Sequence, residues 1–132
     1  MPVPFALISS SEITAEEFLA VLREAGGAIE NAAALAGRVS LHDKHVWVSL
    51  DNRLLKEYEA DEMVLVTQKL EGPPQSHILL DVSRTEGSEQ LAVEFACVCA
   101  RKWPCVVYNV QDKVWSAAEL LKLRNHHGGF EE

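Results

Sequence analysis

The sequence predicts an α+β (or α/β) sandwich, a single domain over residues 1–132 with helices packed on a mixed β-sheet and a βαβ unit at its centre. Three observations predict it. First, residues 77–110 read as strand, break, helix and strand. His77–Ser83 is a short apolar run, Glu89–Lys102 carries a helical pattern that Trp103-Pro104 ends, and Cys105–Val110 is a second β-type run. Second, apolar periods of two and of 3.6 alternate along the chain in the order β-α-β-β-α-β-α-β-α. Third, a chain of 132 residues that is 48% hydrophobic can bury one real core, and it has no linker long enough to divide domains.

Phe5–Ser10 reads as the first strand. Thr14 then starts a helix, with Glu17 three residues on to complete a capping box and Ile13 and Phe18 to form a hydrophobic staple. Phe18, Val21, Leu22 and Ala25 share one helical stripe, and Gly26-Gly27 ends it. Residues 28–37 are Ala-rich, and pattern alone leaves them open between a short helix and a strand. Gly37–Leu41 and Val46–Leu50 alternate, with His42–His45 between them, which predicts a hairpin with a loop of three to five residues. In a regular strand Trp47 points away from Val46, Val48 and Leu50, so it either packs under a helix or faces a partner.

Asp51 can cap a second helical region. Leu54, Leu55, Tyr58, Met63, Leu65, Val66 and Leu70 form its stripe, interrupted by the acids 57–62. This predicts one kinked helix or two short ones ending at Gly72-Pro73-Pro74. In the central unit Ser88 is the expected cap, and Leu91, Ala92, Phe95, Val98 and Cys99 the buried stripe. After the break at Gln111–Lys113, Ser116 and Glu119 repeat the capping box, and Trp115 and Leu120 repeat the staple. His126–Gly129 stops the last helix, and Phe130–Glu132 is expected to fray.

The net charge of −8 argues against nucleic acid, whose phosphates reward Lys and Arg, and favours a basic partner. No apolar run approaches the roughly 20 residues of a membrane helix. Met1–Phe5 lacks the basic and apolar regions of a secretory signal, so the expected location is the cytoplasm. Three cysteines, Cys97, Cys99 and Cys105, suggest reduced thiols used as packing residues. Cys97 and Cys99 point about 200° apart on a helix, which does not suit one metal.

Candidate chemistry is sparse. His42 and His45 on the hairpin loop, His77, His126 and His127 show no spacing that requires them to converge, so no metal is expected. Ser83–Ser88 joins a strand end to a helix start, the place where open α/β sheets bind ligands. It has one glycine and no Walker Lys, and Glu86 and Glu89 would repel phosphate, so no cofactor is expected there. Neither Ser83 nor Cys105 carries a nucleophile signature, and no catalytic residue is expected. The run Glu57-Tyr58-Glu59-Ala60-Asp61-Glu62 places four carboxylates around one aromatic. With Trp47 and Tyr58 as anchors, Glu57, Glu59, Asp61 and Glu62 make the expected partner-binding surface for a basic protein.

The layout resembles that of the small acidic immunity proteins of bacterial polymorphic toxin systems. The resemblance is carried by Leu70-Glu71-Gly72-Pro73-Pro74 leading to Ile78–Ser83, and by the helix Ser88–Trp103. Val106-Val107-Tyr108-Asn109 and Trp115–Leu120 complete it. It implies a non-enzymatic antitoxin, monomer or homodimer, that binds a cognate secreted toxin and covers its active site. No defining motif matches, so no residue role is carried over. The alternative expectation is a small-molecule-binding regulatory domain that uses Ser83–Ser88.

Overall fold

The computed structural model describes residues 2–130. The elements are β1 (Val3–Ser9), α1 (Ala15–Glu24), β2 (Ala28–Asn31), β3 (Ala36–Leu41), β4 (Lys44–Leu50), a 3-10 helix (Asn52–Glu57) and α2 (Ala60–Leu70). They continue as β5 (Ser76–Val82), α3 (Ser88–Ala100), β6 (Cys105–Tyr108), β7 (Val114–Trp115) and α4 (Ala117–Asn125). All seven strands form one sheet in the order β2-β3-β4-β5-β1-β6-β7, and every neighbouring pair is antiparallel.

The expected mixed sheet is therefore corrected to an antiparallel one, in an α+β domain. The strand–helix–strand unit exists, but β1 lies between its two strands. β5 and β6 run the same way, and β1 pairs antiparallel with each through Leu7, opposite Ile78 on one side and Val107 on the other. Helix α3 thus crosses over an N-terminal strand that the local pattern of residues 77–110 does not contain.

The open stretch 28–37 becomes β2, a turn and the start of β3. Close packing explains it. A Cβ on Gly37 would lie 2.6 Å from the Ala28 carbonyl oxygen and would collide with the Leu22 side chain, so only glycine lets α1 sit on this part of the sheet. The β3–β4 hairpin is tighter than expected: its loop is His42-Asp43 alone, with His42 at φ 59°.

Helix starts follow the sequence at both ends of the chain. The Thr14 hydroxyl accepts from the Glu17 amide at 3.1 Å, and the Glu17 carboxylate accepts from the Thr14 amide at 3.0 Å. Ser116 and Glu119 repeat the pair at 3.2 and 3.0 Å. Both staples are buried, Ile13 with Phe18 and Trp115 with Leu120. The second helical region is two helices, the 3-10 helix capped by Asp51 and then α2. The central helix departs from expectation. Gly87 at φ 91° is its cap, and Ser88 is already its first residue, fully buried with its Oγ 2.6 Å from Ser83 Oγ.

The sheet divides the core into two. One face packs against α1, α3 and α4 through Phe18, Val21, Leu22, Val93, Phe95 and Leu120, which meet Leu7, Val46, Ile78 and Val107. The other face is covered by α2, whose Val66 and Leu70 meet Ala6, Ile8, Val106, Tyr108 and Val114. The C-terminal tail is not frayed at Phe130. Its ring is 4% exposed and lies 4.5 Å from Phe5 and 5.0 Å from Trp115 between centroids. Glu131 and Glu132 lie outside the described residues.

Candidate functional site

On the α2 side of the sheet, residues from four strands line up in one row. Arg38 on β3 pairs with Trp47 on β4, Trp47 with Asp81 on β5, and Asp81 with Pro4 on β1. Paired residues share a face, so the row is contiguous. The next row toward α2 is Ala36, Ser49, Leu79, Ala6, Tyr108 and Val114. The face is covered at its β6–β7 end and open at its β2–β4 end: Ala6, Tyr108 and Val114 are buried, whereas Ala36, Ser49, Leu79, Arg38, Trp47 and Asp81 are half-buried and Pro4 is exposed.

Trp47 sits in the middle of this open part. Its ring packs against His45 at 5.6 Å between centroids, and His45 Nδ1 is 2.8 Å from Ser40 Oγ. The other two tryptophans, Trp103 and Trp115, are buried. Arg38 turns toward Glu30, 3.6 Å away. Among the described residues the Asp81 carboxylate makes neither a hydrogen bond nor an ion pair, and its partial burial raises its pKa.

The acidic run lies on the same side of the sheet. Glu57, Glu59 and Asp61 are exposed. Glu62 is held in place: one carboxylate oxygen accepts the Tyr108 hydroxyl proton at 2.6 Å and the other the Glu59 amide at 2.9 Å. The Tyr108 bond, with the Glu59 amide second, lowers the Glu62 pKa. Tyr58 is half-buried. Its hydroxyl is 2.7 Å from His77 Nε2, and its ring meets Tyr108 edge-on at 5.8 Å. Burial first, and the nearby Glu62 charge second, push the Tyr58 hydroxyl up to about 12. Burial likewise holds the His77 imidazole down at about 4, against 6.5 when unperturbed. Tyr58 thus anchors the start of α2 to the sheet, and three of the four acids are left to face solvent.

The structure therefore brings Trp47 and the acids Glu57, Glu59 and Asp61 to one face, on opposite sides of its centre. β4 and β6 are three strand spacings apart, about 14 Å. Sequence reasoning weighed His77 only as a metal ligand and gave Asp81, Arg38 and Tyr108 no place in the expected binding surface. The signal for Asp81 was present, because a period of two in His77–Val82 sends Ile78, Leu80 and Val82 to the core and His77, Leu79 and Asp81 to the other face. The bond from Tyr108 to Glu62 joins residues 46 apart in sequence and left no local signal.

The loop Ser83–Ser88 borders a cleft of about 540 Å³, also lined by Val3, Glu89, Gln90 and His127. Ser83 Oγ accepts from the His45 amide at 3.1 Å, so both loop serines are engaged in fixing the turn. The cysteines are buried, and burial raises the pKa of each thiol, which keeps them protonated. Among the described residues no group of three or more His, Cys, Asp or Glu side chains is placed to hold one metal ion. No helix among them is long and apolar enough to cross a membrane. Comparison with protein-family models, curated proteins and solved structures gives no match.

Proposed function

We propose that this chain is a non-enzymatic inhibitor of a basic protein, an immunity protein that binds a secreted bacterial toxin in the cytoplasm and blocks its active site. The observation that carries the reading is the open half-face of the sheet. A half-buried tryptophan stands at its centre, and the segment from the end of the 3-10 helix into α2 adds three solvent-facing carboxylates, Glu57, Glu59 and Asp61, on the same side. Aromatic anchors in partly desolvated surroundings supply affinity at interfaces, and a surrounding charge of one sign steers the partner and sets register. The net charge of −8 adds a long-range attraction for a basic surface.

Affinity capture from the native cell tests it. The expected catch is a basic protein that arrests growth when expressed alone and is tolerated when this chain is co-expressed. Reversing Glu59 and Asp61 to Lys should slow association by about tenfold at low salt, with a smaller effect at high salt. A harmless or acidic partner would sink the inhibitor reading, and an association rate unmoved by the reversals would remove α2 from the surface.

The cleft at Ser83–Ser88 favours a second reading, a small-molecule-binding regulatory domain. A thermal-shift screen of metabolites and nucleotides checks it. A ligand at about a hundred times its dissociation constant stabilises by about 2.7 kcal/mol, and a flat screen would leave the cleft a surface feature.

A further inference from the structure

Asp81 is a carboxylate with an aromatic neighbour and, among the described residues, no cation within ion-pair distance. It lies opposite Trp47 on one side and Pro4 on the other. Side chains paired in this way have Cβ atoms about 5 Å apart. The row's own cation is committed elsewhere, since Arg38 lies beyond Trp47 and turns to Glu30. His45 is likewise engaged with Ser40. A carboxylate partly stripped of water and left without a counter-charge is a cost to the free protein, and an incoming cation relieves it.

The geometry narrows the cation. An indole face attracts a positive group, and a planar guanidinium can lie on the ring while its N–H edge donates two bonds to an adjacent carboxylate. A lysine ammonium, a compact point charge rather than a flat fork, can neither stack flat on the ring nor donate the parallel pair of bonds, so it fits the corner less well. Pro4, exposed beside Asp81, adds an apolar wall for the methylene stem. We infer that Trp47, Asp81 and Pro4 form a receptor for one arginine side chain presented by a protein partner. This rests on the docking face proposed above and names the contact at its centre. The charge complementarity between an unanswered carboxylate on a chain of net charge −8 and a basic partner supplies the occupant.

The test is a titration of the folded chain with blocked tetra-arginine and tetra-lysine peptides, read by NMR at the Trp47 indole N–H. Tetra-arginine should shift that resonance saturably, and tetra-lysine should bind several-fold more weakly. Asp81→Asn, read at the same indole resonance, and Trp47→Leu, read at the Asp81 backbone amide, should each weaken tetra-arginine by about tenfold, with the signals of buried Trp103 and Trp115 unmoved as a control on folding. Equal affinity for the two peptides, or an Asp81→Asn variant that binds as wild type does, overturns the proposal. Free arginine binding more tightly than the peptide would place a small molecule there and overturn the protein occupant. The two readings fail separately. If tetra-arginine binds as described while the captured partner is harmless, the receptor stands and the inhibitor reading falls. If a toxin is captured but Asp81→Asn leaves its affinity intact, the receptor falls alone.

Discussion

His77 opens a strand and is fully buried, yet it is an ionisable group. Its backbone is tied on both sides: its amide donates to Asn52 Oδ1 at 2.9 Å, and its carbonyl accepts from the Asp51 amide at 3.0 Å. Its Nε2 meets the Tyr58 hydroxyl, while Nδ1 has no hydrogen-bond partner among the described residues. The unfolded imidazole takes up a proton near pH 6.5 and the folded one only near 4, so unfolding gains a proton between those values. Stability from this group is full above the upper value and is lost as pH falls toward the lower one. The amount is on the order of 3 kcal/mol. Urea unfolding of wild type should therefore show stability declining from about pH 6.5 to 4.5, before the carboxylates titrate. A His77→Gln variant should show a flatter slope in that window, and an equal slope would remove His77 as the cause.

At the scale of elements, the four helices start by different means. α1 and α4 use side-chain oxygens three residues apart, α2 uses the Glu62 carboxylate on the Glu59 amide, and α3 starts at a left-handed glycine. The first two devices are local and replaceable. Thr14→Ala or Ser116→Ala should each cost about 1 kcal/mol in chemical denaturation. The Ser116 variant should cost the more, because Glu119 also carries the bond to Lys69 at 2.6 Å that lowers its own pKa to about 2. Equal losses would mean that the link between α2 and α4 adds nothing to the cap.

At the scale of the whole molecule, the two ends of the chain hold one another. Phe5, Trp115 and Phe130 form an aromatic cluster that joins β1, the β7 edge and the C-terminal tail. Aromatic rings packed in this way contribute beyond the area they bury. Phe130→Ala should destabilise by about 3 kcal/mol, measured as a fall in the denaturation midpoint with an unchanged slope. A change under about 0.5 kcal/mol, the size of an ordinary surface substitution, would show the tail to be dispensable. The same long-range closure places β1 between β5 and β6, with α3 packed on one face of the sheet and α2 on the other.

The sequence by itself determined what depends on neighbours within a few residues. It marked both capping boxes, both staples, the apolar stripes of α1 and α3, and the alternation that turns Trp47 away from the core. Those interactions close within one or two turns, so spacing alone encodes them. Tertiary structure decided the rest: an antiparallel sheet in place of a mixed one, β1 inside the central unit, Phe130 in the core, and which half of the second face stays open. Strand pairing uses backbone groups that are the same at every residue, so a strand's pattern tells which face is buried but not which strand lies beside it. The row of Arg38, Trp47, Asp81 and Pro4 comes from four strands spread over 78 residues, and only their pairing brings those residues side by side.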